Sequence, residues 1–598
     1  MSLNLGFFLA IFALCATGIS VFVVAKQIRM FHWTTAVAVV GIAISALCLF
    51  LPAYTVANDG EDLRSFLLSL HSSMRLFAME GDYDAVFAVV SLPQDWWFSW
   101  MPNAYMGILS ILCVLAPLLT VSVVLSLIGN VLTRMQYAFN RKREVFVFSE
   151  LSAKSVTLAK DIKAHHPRSW IIFTDVFEQN NETSYDEMQE LRELKAICYK
   201  QDIAAVRFVR YKNQKAPLYF FVIGEDESEN LNQALKLIER YGYRENTHLY
   251  FFSAGMSRGQ LLTPATDLKM KVRRIDEARA LVNRLLYDDG ARIFQRAREA
   301  AEEGQEALLS AVIVGMGQYG TEMMRSLIWF GQMDGYRLSV DAFDQNPLAE
   351  DMFTALCPEI MSDRYNGVYV AGEAQYRICI HSGLHVETQT FSNEITKLKH
   401  ATYVLVSLGS DTDNVRVAMR LRMLFERIGA KPIIQAVVHS STFKRSLGNI
   451  TNFRGQPYDI ELIGDFEASY AEKVVMDSEL EEDALARHLK WGDEVDFWRY
   501  EYNYQSSAAS AIHMKARIAC GIAGAEKREE DLTEVERAAI EVLEHRRWNA
   551  YMRSQGYVYS GSPDRASRND LAKMHHNLVD FDALPEDIKR IDGRVGSK

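Results

Sequence analysis

The sequence lacks the motifs that most often reveal a metal site, a disulfide framework or hydrolytic chemistry. Its seven cysteines contain no C-x-x-C pair, so neither a structural zinc site nor a set of disulfides is predicted. Patterns of the type G-x-S-x-G, H-E-x-x-H, P-loop and paired carboxylates do not occur either. We therefore expect no catalytic residues and no metal ligands.

Positive charge is also scarce. The chain has 65 lysines and arginines against 76 aspartates and glutamates, a formal charge of −11, which argues against direct DNA binding. With 598 residues the chain is too long for one hydrophobic core, and three or more domains are expected. Its mean hydropathy of −0.07 is high for a soluble protein of this size, which indicates an apolar segment beside polar ones.

Long apolar runs are confined to the N-terminal part. Residues 5–24, 34–54 and 105–128 each offer roughly 20 uncharged residues, enough to cross about 30 Å of hydrocarbon. The first run lacks a basic segment before it, so we expect a retained span rather than a cleaved signal peptide. These features predict a transmembrane region over 1–130 with a loop at 57–104.

The charges around these runs predict an orientation. Basic residues lie between the first two spans and after the third, whereas the loop 57–104 is acidic. The positive-inside rule then places the N-terminus outside and the bulk of the chain in the cytoplasm, as a multi-pass protein of the cell (inner) membrane. The basic residues are Lys26, Arg29, Arg134, Arg141, Lys142 and Arg143, and the acidic ones are Asp59, Glu61, Asp62, Glu80, Asp82, Asp84 and Asp95.

The loop between the second and third spans ends in "DWWFSWMP", residues 95–102. Tryptophans at this position are typical of an aromatic belt at the outer membrane surface, and a small folded outer loop is the alternative. The loop contains no T-V-G-Y-G sequence, so a selective potassium pore of the usual type is not indicated. A non-selective pore and a plain anchor both remain open.

The middle of the chain contains an internal repeat. Residues 219–252 and 403–437 both have a strand pattern, a Gly-acid turn, an asparagine, an amphipathic helix and a second strand pattern. Each copy follows a strand-helix-strand pattern that ends in an acid, Asp175 or Asp344. Strands that alternate with helices of this length predict parallel sheets. We expect two Rossmann-like domains at 144–285 and 308–470, joined by a helical linker at 286–307.

The second copy alone carries a glycine-rich turn. In "GMGQYG" the residues Gly315, Gly317 and Gly320 have the G-x-G-x-x-G spacing, and Gln318 and Tyr319 complete the turn. Backbone N–H groups in such a turn bind a pyrophosphate, and Asp344 at the end of the next strand would accept hydrogen bonds from ribose. The alternative is that the glycines only allow the helix and strand to pack closely. The first copy has "SELSAKS" instead, which indicates a structural or dimerising role.

Tandem Rossmann domains behind a short membrane segment, with "LGSDTDN" after the fourth strand, resemble the regulator-of-K⁺-conductance (RCK, TrkA-N) fold. The resemblance implies a dimer or tetramer that binds a nucleotide and acts on membrane helices. The ligand would be NAD(H), ADP-ribose, ATP or a cyclic nucleotide. Gly409, Asp411 and Asn414 match the strand-four edge that closes over the ligand, and turn and helix-cap chemistry is the alternative for them.

After a helical connector at 471–535, residues 536–598 carry a pattern of many fixed spacings. They resemble the ryanodine-receptor repeat (RyR) domain, although Tyr557 replaces a usual tryptophan and His576 and Asp580 replace usual prolines. The matching residues are Glu544, His545, Trp548, Asn549, Tyr551, Gly556, Tyr557, Lys573, His575, Leu578, Val579, Phe581, Leu584 and Pro585. A possible pocket that stacks and clamps a nucleotide is formed by His545, Arg546, Trp548, Tyr551 and Tyr559. The alternative is that these side chains are the core of a small domain.

Together these patterns predict a membrane α-helical segment of three spans, tandem α/β RCK-like domains and a small, mainly α RyR domain. We expect a nucleotide-sensing protein whose ligand gates or alters the membrane segment. By the RyR resemblance it would be an effector in nucleotide signalling or antiviral defence. A regulatory subunit of a potassium channel or transporter and a membrane-anchored scaffold are the alternatives. An NAD-dependent enzyme is disfavoured, because no second domain offers a catalytic side chain opposite the nicotinamide.

Overall fold

A computed structural model describes residues 2–27, 31–58, 61–93, 95–139, 143–176, 190–191, 193–208, 216–254, 268–302, 304–368, 375–448, 450–476 and 479–597. The chain divides into two units, Met1–Arg141 with Gln179–Ile197, and Lys142–Glu178 with Cys198–Lys598. Four residues used for the orientation prediction, Arg29, Asp59, Arg141 and Lys142, lie outside the described residues.

The first unit contains three helices long and apolar enough to cross a membrane, with candidate windows at Leu3–Val21, Val37–Ala57 and Met101–Val121. This confirms the predicted helical N-terminal segment. The helix of the third window continues beyond the predicted span, as far as Phe139. The helices are α1 (Leu3–Gln27), α2 (Phe31–Ala57), α3 (Asp62–Arg75), α4 (Tyr83–Val90) and α5 (Met101–Phe139), with a 3-10 turn at Leu76–Ala78.

The loop between α2 and α5 is folded. The Tyr54 hydroxyl donates to Oδ2 of Asp82 at 2.7 Å, and the Ser72 hydroxyl donates to the same oxygen at 2.8 Å. The hydrogen bond from Tyr54 is the largest influence on Asp82, and the pKa of this carboxyl is lowered below its usual value. Three aromatic side chains near the end of the loop are exposed: Trp97, Phe98 and Trp100.

A six-stranded sheet follows the membrane segment along the chain. Its elements are β1 (Val145–Phe148), α6 (Ala153–His165), β2 (Trp170–Phe173), β3 (Ile197–Cys198), β4 (Leu218–Val222), α7 (Glu227–Tyr241), β5 (Thr247–Phe252) and β6 (Lys271–Ile275). Strands β1, β2, β4, β5 and β6 pair in parallel, and the order is β3-β2-β1-β4-β5-β6. This is the strand order of a Rossmann fold.

A second sheet of the same order follows. Its elements are α8 (Glu277–Glu299), β7 (Ala307–Val314), α9 (Gln318–Phe330), β8 (Tyr336–Asp344), α10 (Ala349–Leu356), β9 (Tyr376–Ser382), α11 (Gln389–Lys397), β10 (Tyr403–Val406), α12 (Asp411–Ile428), β11 (Ile433–Val437), α13 (Ser441–Leu447) and β12 (Ile460–Ile463). The order is β12-β11-β10-β7-β8-β9, and every pair is parallel. The tandem Rossmann-like prediction is confirmed.

Helix α8 begins inside the predicted first domain rather than at residue 286. Its apolar side chains Val282, Leu286 and Phe294 are buried in the same hydrophobic cluster as Leu327 and Phe330 of α9. Because this face packs against the second sheet domain, α8 is part of that domain's core as well as the connection between the two copies.

The C-terminal part is mainly helical. It contains α14 (Phe466–Ser469), α15 (Glu472–Val475), α16 (Glu479–His488), α17 (Glu494–Arg499), α18 (Glu501–Ala519), α19 (Glu534–Ser554), β13 (Val558–Tyr559), β14 (Met574–His575) and α20 (Glu586–Gly596), with 3-10 turns at Glu529–Asp531, Arg565–Ser567 and Phe581–Ala583. Thr533 and Glu536 form a capping box at the start of α19, and Gly556 follows its end with a φ of 83°.

The first sheet domain contacts α15 through His166, which lies 2.7 Å from a carboxylate oxygen of Glu144 and 2.7 Å from one of Glu472. Burial alone would lower the pKa of His166, but these two carboxylates outweigh it and raise the pKa. The contact therefore stabilises the fold fully below about pH 6.5, the usual histidine pKa, and is lost as the pH rises through the raised value.

We expect His166→Gln to lower the stability of the full chain at pH 6 by no more than about 1 kcal/mol, because the ring is partly solvated. The difference should shrink as the pH rises towards 9. Apparent melting temperatures of both proteins, measured across this range, check the prediction. A difference that grows with pH would contradict it.

Candidate functional site

The glycine turn between β7 and α9 is built by two of its three glycines. Gly315 has a φ of 96°, and a Cβ on it would lie less than 3.0 Å from the carbonyl oxygen of Ser407. A Cβ on Gly320 would overlap the carbonyl oxygen of Gly315. Around Gly317, in contrast, a Cβ would meet no atom within 4 Å. Gly315 and Gly320 thus serve close packing, while Gly317 faces open space.

Helix α9 has an N-terminus that no described side chain caps. Gly317 is its N-cap residue and has no side chain to accept from the first amides. The corresponding helix of the first copy, α6, is closed by Ser152 and Ser155, and α12 is capped by Ser410. The first N–H groups of α9 and the positive end of its dipole therefore remain available to an anion.

A cleft of about 420 Å³ opens in front of this turn. It lies at the carboxyl ends of β7, β8 and β10, where the strand order reverses between β7 and β10. Ligands of open α/β sheets bind at such a switch point. Seven of the predicted residues line the cleft: Gly315, Gly317, Gln318, Tyr319, Asp344, Gly409 and Asn414.

Asp344 braces the glycine turn. Its Oδ2 accepts from the backbone N–H of Met316 at 2.6 Å, and its Oδ1 accepts from that of Asn346 at 2.7 Å. A carboxylate oxygen can accept more than one hydrogen bond, so Asp344 retains acceptor capacity on the cleft side. The sequence predicted the ribose contact but not this second role.

Asp411 and Asn414 join backbone segments at the ends of β10 and β11 through side-chain hydrogen bonds. Asp411 accepts from the N–H groups of His439 at 3.0 Å and Ser440 at 2.9 Å. Asn414 accepts from the N–H of Leu408 at 2.5 Å and donates to the carbonyl oxygen of Val437 at 2.8 Å. Asn230 makes the equivalent contacts with Gly224 and Phe252 in the first copy. These contacts match the turn and helix-cap alternative, and a ligand contact by either residue stays a prediction.

The cleft also contains residues that the sequence did not indicate. Arg416 on α12 lines it and is paired with Glu387 and, at 2.8 Å, with Asp413. Apolar side chains in the lining come from the segments that follow β9 and β10: Leu384, Val386 and Leu408. His385 and His439 also line the cleft. Only Arg416 carried a detectable pattern, a basic residue in the second turn after "GSD".

The matching edge of the first sheet is acidic. Burial, together with the negative charges of Glu225, Asp175 and Glu229, raises the pKa of Glu150 to about 7. Such a concentration of carboxyl groups repels phosphate. The glycine turn of the second copy, "GMGQYG", contains no acidic residue, and the role of the second copy as the nucleotide site stays a prediction.

The five residues of the possible RyR pocket make contacts inside the protein. His545 lies 2.8 Å from the carbonyl oxygen of Val579, and Arg546 pairs with Asp334 at 2.8 Å. Tyr551 is buried, and its ring is 6.3 Å from that of Trp329. The Trp548 ring is 5.0 Å from His575, and the N–H of Tyr559 donates to Glu359 at 2.9 Å. These contacts match the alternative of a packed core, and a ligand pocket at these residues stays a prediction.

Buried charges join α9 to its neighbours. Glu322 accepts from Arg279 on α8 and from Arg325, at 2.8 Å in each case. Arg325 also donates to the carbonyl oxygen of Ser554 at 2.7 Å and to the side chain of Gln555 at 2.6 Å, both at the end of α19. The helix that starts at the glycine turn is thereby bound to the linker helix and to the C-terminal part.

No protein-family description matches the chain, and no curated protein matches it. Among solved structures, the chain is similar to a point mutant of GsuK and to a structure titled "GsuK Channel", at 12% sequence identity and a TM-score of 0.33 in each case. The alignments cover 74% and 73% of this chain and 96% of each of those chains. A likeness of this size carries no information on ligand or activity.

Proposed function

We propose that the chain is a nucleotide-sensing membrane protein, in which a ligand bound to the second Rossmann-like domain alters the membrane segment. The observation that carries the proposal is the uncapped N-terminus of α9 behind Gly317, facing a cleft at the switch point of the sheet. This combination supplies N–H donors, a favourable dipole and space for a phosphate at one point.

The cleft favours a nucleoside diphosphate or a dinucleotide. A pyrophosphate would accept hydrogen bonds from the first amides of α9, and Asp344 would accept from ribose hydroxyls. The apolar side chains of Leu384, Val386 and Leu408 offer a surface for the base. NAD(H), ADP-ribose, ATP and cyclic nucleotides are the candidates to compare.

The route from the cleft leads through Tyr319 and His439, whose rings are 5.4 Å apart. Both also line a second cavity of about 210 Å³, which Phe252 of the first sheet domain and Ile463 of the second line as well. A ligand that moves Tyr319 would change the contact between the two domains. It can shift their arrangement only if it binds one arrangement more tightly than the other.

Helix α5 is the last helix of the membrane segment before the sheet domains in the chain. Helix α5 continues from the third apolar window to Phe139, and the first sheet begins at Val145. We propose that this helix transmits the change, with the sheet domains in the cytoplasm and the chain assembled as a dimer or tetramer. Arg143, whose guanidinium lies 5.4 Å from the ring of Trp170, would fix the point of attachment.

The full chain, purified in detergent, is expected to bind at least one of these nucleotides in a calorimetric titration. Gly317→Asp should weaken binding at least about thirtyfold, because a carboxylate in the open space would occupy and repel the phosphate position. The matched control is Leu151→Asp in the corresponding turn of the first copy, which should bind as the unaltered protein does.

The outcomes of the titration test nucleotide binding and its location separately. If the unaltered chain binds none of the nucleotides, the sensing proposal fails and a membrane-anchored scaffold becomes the better description. An equal loss in Leu151→Asp would move the site to the first copy. Ion flux into liposomes, compared with and without the bound nucleotide, then tests the transmission step, and flux indifferent to the ligand would refute it.

A further inference from the structure

Three side chains with different ligand atoms meet on one face of the second sheet. Asp341 on β8 and Cys379 on β9 are partners in the parallel register, and His381 is the partner of Phe343. Because side chains alternate along a strand, Cys379 and His381 point to the same face as Asp341. Carboxylate, thiol and imidazole are thus brought together by register alone.

The spacing of these groups suits one small ion. A carboxylate oxygen of Asp341, the sulfur of Cys379 and a ring nitrogen of His381 all lie within 4.8 Å of one another. Oδ1 of Asp341 is 3.3 Å from Nε2 of His381. Two ligand atoms bound tetrahedrally at about 2.0–2.1 Å from a zinc ion are separated by roughly 3.3–3.4 Å. The carboxylate and imidazole form a hydrogen bond with each other, and this contact holds them at the separation that such an ion requires.

The surroundings hold the ligands in place and leave one side open. The His381 ring stacks on Phe343 at 4.4 Å with an interplanar angle of 5°, which fixes its orientation. Arg377 donates to the hydroxyl of Ser339 and lies 3.9 Å from the other carboxylate oxygen of Asp341. Asp341 is 5% exposed, whereas Cys379 and His381 are half-buried, so solvent can reach the group.

The chemistry of the three ligand atoms, a carboxylate oxygen, a thiol sulfur and an imidazole nitrogen, indicates the class of ion. A set of sulfur, nitrogen and oxygen ligands suits zinc and similar transition metals, whereas magnesium and calcium prefer oxygen alone.

We propose that Asp341, Cys379 and His381 bind a divalent transition-metal ion, zinc by ligand preference, with water as a fourth ligand. This site is separate from the nucleotide cleft but adjoins it, because Phe343 stacks on His381 and also lines the cleft. Metal binding here does not depend on the proposed nucleotide function, and its test contains no nucleotide.

The probe is Co²⁺, titrated into the metal-free full chain in detergent. We expect one equivalent to bind, with the visible bands of tetrahedral cobalt and a cobalt–thiolate charge-transfer band in the near ultraviolet, and Zn²⁺ to displace it. Cys379→Ser should remove the charge-transfer band. Cys379→Ser and His381→Gln should each weaken binding at least about 100-fold, since loss of an outer partner alone costs 10–100-fold.

Matched controls are Cys520→Ser and His400→Gln, which alter the same residue types elsewhere and should leave the cobalt spectrum unchanged. Melting temperatures of the metal-free variants show whether each is folded. The proposal is overturned if Co²⁺ does not bind stoichiometrically, or if folded Cys379→Ser and His381→Gln give the spectrum of the unaltered chain. Loss of the charge-transfer band in Cys520→Ser would instead identify Cys520 as the thiolate ligand and overturn the proposal.

Discussion

Replacing Glu322 by alanine is expected to lower the free energy of unfolding by about 3–5 kcal/mol. Glu322 is buried between Arg279 and Arg325, each of which is also buried, and accepts a hydrogen bond from both. Its removal leaves two guanidinium groups without their shared counter-charge in a region that water barely reaches. An uncompensated buried charge costs far more than the net value of the original pair.

The apparent melting temperature of the full chain should fall by roughly 10 °C, on the basis of about 2–4 °C per kcal/mol for a large domain. Glu306→Ala is the matched control, because Glu306 forms an exposed pair with Arg337 and such pairs contribute about 1 kcal/mol or less. A triple variant, Arg279→Met with Glu322→Leu and Arg325→Met, should recover part of the loss, since both guanidinium groups are removed with their counter-charge. The recovery is incomplete because Ser554 and Gln555 lose the donor Arg325. Equal effects of Glu322→Ala and Glu306→Ala would show that the buried network is not what holds the helices together.

The same network predicts a dependence on pH. Burial alone would raise the pKa of Glu322, but Arg279 and Arg325 outweigh it and lower the pKa. A depressed carboxyl pKa contributes stability that is present above about pH 4.5, the usual glutamate value, and lost as the pH falls through the depressed one. The stability advantage over Glu322→Gln should therefore shrink in acid.

The sequence was sufficient to predict those elements whose structure is determined by interactions between residues close together in the chain. Runs of apolar residues predicted the three helices of the first unit, because span length follows from residue count. Alternating strand and helix patterns predicted two parallel sheets, and the spacing of Gly315, Gly317 and Gly320 predicted the turn that opens α9. Each of these depends on backbone preferences over a few residues.

Contacts between residues that are far apart in the sequence could not be predicted in this way. The sequence contained no local cysteine pair, and no metal site was therefore expected. Yet the register of β8 and β9 places Asp341 beside Cys379 and His381. The apolar wall of the cleft at Leu384 and Val386 is likewise visible only once β9 is placed at the end of the sheet.

Helix α19 in the C-terminal part shows a different limit of sequence-based prediction. Its aromatic and basic residues have the chemistry of a nucleotide clamp, but the same side chains serve equally well in a buried interface. Arg547 and Arg517 lie on either side of the buried Glu544, and His545 lies 3.2 Å from Asp592. Residue type alone cannot distinguish these uses, because burial depends on the segments that pack around the helix.

Substitution by alanine is expected to lower stability at Gly320 but not at Gly317. Gly320→Ala should destabilise the full chain by about 3 kcal/mol, because the new methyl group overlaps a backbone carbonyl that cannot move without opening the turn. Gly317→Ala places its methyl group in open space and should leave the melting temperature unchanged within about 2 °C.

Ligand titration of the same pair separates packing from binding. Gly317→Ala should weaken nucleotide binding while the protein remains fully folded, since its methyl group occupies the approach to the first amides of α9. In Gly320→Ala, weaker binding should accompany the drop in melting temperature, because the distorted turn no longer aims those amides at the cleft.

Unchanged binding in folded Gly317→Ala would mean that the phosphate does not approach the backbone there. Unchanged stability in Gly320→Ala would mean that the strand and helix can separate at this turn without cost. Gly317→Ala should therefore leave stability unchanged and weaken binding. Only this combination supports a turn whose conformation depends on Gly315 and Gly320 and whose ligand approaches at Gly317.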